Sequence, residues 1–159
     1  KGVPAFYLPA LLASENDIKT FSMTGQRRDL NREKFIMEEL LINLNNNYSN
    51  ASRNLKYLSK AMQIRSSLNA FHPSSKMKSL SENRSDLIVI RRGDGNDSIW
   101  AIHNITDNKL DYLLDDPEIL DSIVNNISFI DYLTGIKYSN LSIKLEPFQV
   151  IWIGILFDD

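Results

Sequence analysis

Residues 86–106, DLIVIRRGDGNDSIWAIHNIT, decide how the second half of the chain folds. Two runs rich in apolar and β-branched residues, 86–92 and 98–106, flank a short segment, 93–97, that carries two glycines. Two such runs joined by a tight, glycine-containing turn predict an antiparallel β-hairpin. Further short apolar runs lie at residues 129–133, 141–145 and 148–156. We therefore predict a small antiparallel β domain over residues 84–159.

The first half of the chain instead shows the spacing of helices. Apolar residues recur at i, i+4, i+7 and i+11 in two sets, Met37, Leu41, Leu44, Tyr48 and Tyr57, Ala61, Ile64, Leu68. This spacing puts each set on one helix face, so we predict one amphipathic helix from residue 33 and a second after Asn50. A polar linker is predicted at 73–83, and the apolar run at 2–8 predicts a buried strand. Residues 107–128 fit either a short helix or an irregular connection.

The composition excludes several classes of protein. Of the 159 residues, 43% are hydrophobic and 24% are charged, as in ordinary globular proteins. With 18 Lys and Arg against 20 Asp and Glu, the chain lacks the basic excess that drives general nucleic-acid binding. The absence of cysteine excludes disulfide scaffolds and thiol nucleophiles, and two histidines, His72 and His103, offer little for a metal site. No apolar run approaches the ~20 residues that span a bilayer. We expect no nucleic-acid partner, no membrane association and no metal.

The hairpin turn contains two short motifs with plain structural interpretations. Arg92-Gly93-Asp94 spells an adhesion tripeptide, but we interpret its glycine as serving a turn that needs positive φ. Residues 94–98 resemble the start of a calcium loop, yet Ile105 stands where such a loop closes with a bidentate Glu. We therefore predict a turn here and no metal.

Three other features are also expected to be structural. The Asn-X-Ser/Thr triplets, one of them at Asn104, are interpreted as chance in an Asn-rich chain. His103 is interpreted as a packed strand histidine. The acid pairs at 115–116 and 158–159 are expected to be solvated, because no spacing argues for a two-carboxylate cleft.

The densest group of polar side chains lies at residues 16–32. It combines planar groups with several hydrogen-bonding atoms, namely Asn16, Asp17, Arg27, Arg28, Asp29, Asn31 and Arg32. Such a loop suits the binding of hydroxyls, carboxylates or phosphate. It equally suits a loop that its own Arg–Asp pairs hold together, with Asn31 as a helix N-cap. The residues by themselves leave both interpretations open.

The same loop is the centre of a resemblance that covers nearly the whole chain. Residues 2–7, GVPAFY, are similar to a G-x-P-x-x-Y pattern, and residues 24–34, TGQRRDLNREK, to T-G-x-x-R-x-I-N-R-x-K, with Leu30 for the usual Ile. Residues 99–106 and 143–152 look like strands of a C-terminal β domain. On these motifs the chain resembles the sucrose phosphorylase branch of the α-amylase superfamily, glycoside hydrolase family 13.

The resemblance implies an architecture. Residues 1–72 would be the end of a catalytic (β/α)8 barrel, with its last strand and helices. Residues 73–83 would be a linker, and 84–159 a small antiparallel β-sandwich domain. A barrel remnant exposes apolar surface, so we expect the isolated chain to self-associate.

The resemblance also implies an activity for a longer, cytoplasmic parent protein. Such an enzyme would transfer a glucosyl unit from sucrose or a related α-glucoside, such as glucosylglycerate, to phosphate as co-substrate, with no metal or organic cofactor. Its catalytic carboxylates lie on earlier barrel strands, so no catalytic residue is expected in this chain, which should be inert alone. Arg28 matches the family arginine that hydrogen-bonds the 4-hydroxyl of the glucosyl unit. It is the expected substrate-binding residue.

Two alternatives stay open. A non-enzymatic β module would bind carbohydrate or a partner protein, with helices within 33–68 as its interface. Such modules display exposed aromatic side chains, whereas Trp100 and Trp152 lie in strand runs that are predicted to be buried. Amylase-type hydrolysis is the second alternative, because one motif does not separate water from phosphate as the acceptor.

Overall fold

The computed structural model describes residues 5–117, 119 and 128–156. The chain divides into two compact units, the first up to Gln63 and the second from Ile64. It mixes α-helix with antiparallel β-sheet, which confirms the predicted class. Among the described residues, no helix combines the length and the apolar character needed to cross a bilayer.

The first unit is helical in its described part. Its helices are α1 (Leu8–Leu11), α2 (Ile18–Thr24), α3 (Met37–Asn45) and, up to Gln63, α4 (Asn50–Ser67), and a 3-10 turn (Arg27–Asn31) follows α2. The predicted helix at Asn50 is confirmed. The helix predicted from residue 33 begins only at Met37, where Glu38 and Glu39 lie in the first turn and interact favourably with the helix dipole.

The strand predicted at residues 2–8 is wrong for its described part. Residues 5–7 have no regular secondary structure, and Leu8 begins α1. Pro9 follows in the first helical turn, where its fixed φ and missing N–H favour a helix start. Residues 2–4 lie outside the described part of the chain.

The first unit buries few apolar side chains. Among its described residues, 5–63, Leu12 is the only buried hydrophobic residue. The apolar stripe predicted from Met37 to Tyr48 faces outward, since these two side chains are 63% and 90% exposed and Leu41 is 51% exposed. Folded proteins normally cover an apolar helix face of this kind.

The described part of the second unit contains two antiparallel sheets. Its strands are β1 (Met77–Ser79), β2 (Leu87–Arg92), β3 (Ile99–Asn104), β4 (Leu110–Leu113), β5 (Ser128–Asp131), β6 (Lys137–Tyr138), β7 (Ser142–Leu145) and β8 (Val150–Leu156). Six strands form one sheet in the order β1-β2-β3-β8-β5-β6, and β4 pairs with β7 in the other. The predicted hairpin is confirmed, because β2 and β3 pair antiparallel from Leu87 opposite Asn104 to Arg92 opposite Ile99.

Both sheets contribute to one hydrophobic core. Val89, Ile102 and Ile151 lie on adjacent strands of the larger sheet and are completely buried. Ile143 and Leu145 of β7 belong to the same core. Full burial of one such side chain contributes about 1.5–3 kcal/mol. The core therefore explains why strands predicted from alternating patterns fold against each other.

Three short strands have no counterpart in the sequence-based prediction. β1 lies in the polar segment 73–83 and pairs with β2, with Met77 opposite Arg92. β4 lies in the ambiguous segment 107–128, of which residues 118 and 120–127 are outside the described part. β6 has two residues. Because β1 and β6 are edge strands of two or three residues, they leave no readable alternation in the sequence.

Candidate functional site

The polar loop of residues 16–32 is organised around the start of α2. Asp17 caps this helix, since its carboxylate accepts hydrogen bonds from the Thr20 backbone N–H (2.8 Å) and the Thr20 hydroxyl (2.6 Å). These hydrogen bonds, the hydroxyl's first, lower the pKa of Asp17 below its usual value of 3.8. The helix ends at Gly25, whose φ of +66° gives a left-handed C-cap.

The 3-10 turn that carries the arginines is fixed at both ends. The Asp17 N–H donates to the Leu30 carbonyl at 2.7 Å. The Thr24 hydroxyl donates to Asp29 Oδ2 at 2.7 Å and accepts from the Gln26 N–H at 3.2 Å. These bonds hold the backbone of the turn, so the side chains on it project from a defined base.

Arg28 extends from this base into solvent. Its side chain is 66% exposed, and Nε lies 3.8 Å from Asp29 Oδ1. That separation is too long for a hydrogen bond, so Asp29 does not fix the orientation of the guanidinium. An exposed ion pair of this kind contributes little to stability.

The structure contradicts the interpretation that Arg–Asp pairs hold the loop together. Its backbone is held by threonine–aspartate and backbone hydrogen bonds, and the one Arg–Asp pair recorded in the loop is the loose pair of Arg28 and Asp29. Asn31 ends the 3-10 turn and does not cap a helix, because α3 begins six residues later at Met37. The prediction of Asn31 as an N-cap is wrong.

An open cleft of about 420 Å³ lies beside the helix cap. Its lining is mixed in charge and includes Glu15, Asp17, Lys19, Glu33 and Lys34. Both lysines contribute to lowering the pKa of Asp17, after the hydrogen bonds from Thr20. The cleft has the polar groups to bind a hydroxylated ligand, but its acidic and basic side chains give it no strong charge preference.

The adhesion tripeptide is part of the hairpin turn, as predicted. Gly93 has a φ of +82°, and a Cβ at this position would lie 2.6 Å from the Asp97 carbonyl oxygen. Arg92 donates from Nε to the Ala70 carbonyl at 3.2 Å and from Nη2 to the His72 carbonyl at 2.8 Å. The glycine is therefore required by the turn, and the arginine is engaged within its own unit.

The chain resembles glucosylglycerate phosphorylases. It is 29% identical over 153 residues to the glucosylglycerate phosphorylase of Allomeiothermus silvanus. The matched stretch covers 96% of this chain and 24% of that protein. It is 26% identical over 152 residues to the glucosylglycerate phosphorylase of Escherichia coli K12, with 96% and 25% covered. No protein-family profile matches. The chain spans about a quarter of the length of these curated relatives, and the predicted resemblance to phosphorylases of this branch is confirmed.

One acidic residue behaves differently from the prediction for acid pairs. Asp116 was expected to be solvated, but it is 4% exposed. It accepts two hydrogen bonds from Arg91 Nη1, at 3.1 and 2.9 Å, and one from Trp100 Nε1 at 2.9 Å. The sequence signal for a buried carboxylate was in β2, where alternation with the core residues Leu87 and Val89 places Arg91 on the buried face. A buried arginine needs a buried carboxylate. The pair 158–159 lies outside the described residues.

The two tryptophans differ in burial. Trp100 is completely buried, as predicted. Trp152 is half-buried and packs on Phe71 with ring centroids 4.8 Å apart. His103 is also half-buried on β3, and burial lowers its pKa below 6.5. The hydrogen bond from Trp100 to Asp116 and the packing of Trp152 on Phe71 give both tryptophans a structural role.

Proposed function

We propose that the chain is part of an α-glucosyl phosphorylase, which moves a glucosyl unit from an α-glucoside to inorganic phosphate and releases α-glucose 1-phosphate. The observation that carries this proposal is the similarity to two glucosylglycerate phosphorylases over 96% of the chain. Their name makes glucosylglycerate the first donor to test, with sucrose as the second. Phosphate is the co-substrate, and the proposal includes no metal or organic cofactor and a cytoplasmic location.

In this proposal residues 1–72 are the end of a (β/α)8 barrel, 73–83 a linker and 84–159 the domain that follows the barrel. The exposure of the first unit supports it, because Met37, Leu41 and Ile42 are 63%, 51% and 70% exposed on α3. Other strands and helices of a barrel would cover these side chains. The isolated 159-residue chain should therefore self-associate through them.

Arg28 is the proposed substrate-binding residue, donating to the 4-hydroxyl of the glucosyl unit. Its guanidinium is always charged and presents a rigid set of donors. It is 66% exposed on a turn whose backbone is held at Leu30 and Thr24, so the fork is available while its base is fixed. Because its role is to orient the sugar, loss of Arg28 should lower kcat more than it raises KM.

The chain alone is proposed to be inert. A retaining transfer needs a carboxylate nucleophile and a carboxylic acid about 5–5.5 Å apart. In the resembled enzymes these groups lie on barrel strands that precede the region matched by this chain. The resemblance assigns neither group to a residue of the chain.

The test compares the protein expressed from its complete coding sequence with the 159-residue chain. Phosphate-dependent release of glucose 1-phosphate is measured with glucosylglycerate and with sucrose, and we expect activity in the complete protein alone. Arg28→Gln should lower kcat/KM by about 100-fold. Arg27→Gln is the matched control, since Arg27 is the adjacent exposed arginine at a position that the motif leaves unspecified.

Each other outcome has a distinct meaning. Release of free glucose without dependence on phosphate would replace phosphorolysis with hydrolysis. Binding of glucosides without any turnover would favour the non-enzymatic module. Equal losses in Arg28→Gln and Arg27→Gln would remove the specific role of Arg28 and leave the reaction class intact.

A further inference from the structure

The charged residues of the chain are distributed unevenly, and α4 lies in its most basic stretch. Residues 40–81 contain six of the 18 Lys and Arg and none of the 20 Asp and Glu. α4 itself carries four basic residues and no acidic one. An excess of one charge on a surface attracts ligands of the opposite charge and speeds their association. This distribution makes α4 a candidate for contact with an anion, although the chain as a whole has a net charge of −2.

Three of these basic side chains form a stripe along one face of α4. Arg53, Lys56 and Lys60 are spaced three and four residues apart, which aligns them on the helix, and all three are exposed. The half-buried Leu55 and Leu58 lie on the opposite face. Like charges four residues apart destabilise a helix, and no acidic residue of α4 offsets the repulsion. A local feature that costs stability in this way is typical of a binding surface.

An open cleft of about 460 Å³ adjoins the N-terminal end of the basic stripe. It lies between α4 and the loop that follows α1, and it is lined by Ala13, Asn50, Arg53, Asn54 and Tyr57. Sites for small molecules have volumes of roughly 300–1,000 Å³. The cleft therefore has room for a ligand larger than a simple anion.

The two walls of the cleft are joined by hydrogen bonds. Asn54 donates from Nδ2 to the carbonyls of Ala10 (3.0 Å) and Leu11 (2.9 Å). The chain then turns at Ala13, whose φ of +50° lies in the left-handed region where glycine is usual. These features hold the cleft in one shape, and such preorganisation lowers the entropic cost of binding.

Three side chains of the lining match the chemistry of a sugar phosphate. Arg53 has no ion pair or side-chain hydrogen bond with any described residue, so its guanidinium is free to donate two parallel hydrogen bonds to a phosphate. Tyr57, one turn further along α4, is 52% exposed and offers the face of its ring to the apolar face of a sugar. Asn50 adds an amide that both donates to and accepts from hydroxyls. Among the described residues that line the cleft, none is acidic.

We propose that this cleft binds a sugar phosphate, with the phosphate on Arg53 and the sugar ring against Tyr57. Lys56 and Lys60 lie outside the lining and strengthen the attraction of an anion at longer range. The proposal does not depend on the proposed function, because the charge, the exposure and the cleft belong to α4 and the loop after α1. Inorganic phosphate would use only the Arg53 half of the site.

The test is isothermal titration calorimetry with glucose 6-phosphate, inorganic phosphate and glucose, on the protein expressed from its complete coding sequence. Arg53→Gln should weaken the binding of glucose 6-phosphate about tenfold, the loss expected for a hydrogen bond to a charged group. Tyr57→Ala should weaken glucose 6-phosphate and leave inorganic phosphate unchanged. Lys78→Gln is the matched control, since it removes one positive charge at an exposed position on β1, outside the cleft, and should bind like the unaltered protein.

Three results would overturn the proposal. An absence of measurable glucose 6-phosphate binding would show that the cleft holds no ligand of this class. Equal affinities in Arg53→Gln and Lys78→Gln would place the phosphate elsewhere. An unchanged affinity in Tyr57→Ala would leave an anion site without a place for the sugar. Phosphorolysis is assayed on the same preparations, and its absence would reject the enzyme assignment while leaving the calorimetric result for the cleft unchanged.

Discussion

Replacing Asp116 by alanine should strongly destabilise the second unit. Asp116 and Arg91 have side chains 1% and 10% exposed, and Arg91 Nη1 lies 2.9 Å from the carboxylate. Removing one partner of a buried ion pair costs about 3–5 kcal/mol, because the remaining charge stays desolvated. Trp100 Nε1 would also lose its acceptor, a loss of about 1–3 kcal/mol. Because both donors share this carboxylate, the terms overlap, and we expect about 3–5 kcal/mol in total.

The measurement is urea unfolding followed by tryptophan fluorescence. Both tryptophans, Trp100 and Trp152, lie in the second unit and report on it directly. Asp115→Ala is the control, since this neighbouring acid is exposed and should change the free energy of unfolding by less than about 0.5 kcal/mol. If Asp116→Ala fell within about 1 kcal/mol of Asp115→Ala, the argument from buried charge would be refuted.

Three further changes test separate features. Gly93→Ala should lower thermal stability more than Gly95→Ala. Both glycines have a positive φ, but only at position 93 would the new Cβ lie 2.6 Å from a backbone oxygen. Equal losses of stability in the two variants would contradict this reasoning. The folded-state pKa of Asp17 is lowered, so its stabilising contribution is present above about pH 3.8 and is lost as the pH falls through the lowered pKa. An NMR titration midpoint at or above 3.8 would disagree. Phe148→Gly should stabilise the 159-residue chain in urea by up to about 1–2 kcal/mol, since glycine accepts the positive φ, and a loss of stability would show that the ring supports the turn.

The hairpin and α4 were predictable because each has a strong local signal. The β2–β3 pair combines two apolar runs with a glycine turn, and its register follows once the core face is fixed. α4 has 18 residues, long enough for its apolar spacing to be read. In the hairpin the local pattern and the tertiary contacts agree, whereas in α4 the pattern predicts the helix although Tyr57 of its apolar stripe is 52% exposed.

The errors occur where long-range contacts decide the outcome. The apolar residues at 5–8 have the composition of a strand, but Pro9 starts a helix there and Asn54, more than 40 residues away, donates to the carbonyls of Ala10 and Leu11. The burial of Asp116 depends on Arg91, 25 residues away. The alternation in β2 places Arg91 on the buried face, but no local pattern identifies the acidic residue that pairs with it.

The candidate site was only partly predictable. Composition identified the loop, and the resemblance singled out Arg28. The threonine partners of Asp17 and Asp29 were not anticipated, because threonine is a common residue. Its spacing, three residues after Asp17 and five before Asp29, is also unremarkable. Their effect is to hold the loop backbone while the arginine side chain stays exposed.

The position of β8 has a consequence for how the second unit forms during protein synthesis. β8 lies between β3 and β5 in the larger sheet, although it is the last of the described strands to be translated. On the ribosome, β1–β3 can pair as they emerge, whereas β5 and β6 have no link to them until β8 arrives. Until β8 is synthesised, the nascent chain therefore carries two unpaired sheet edges, and edges of this kind are prone to wrong pairing with other chains.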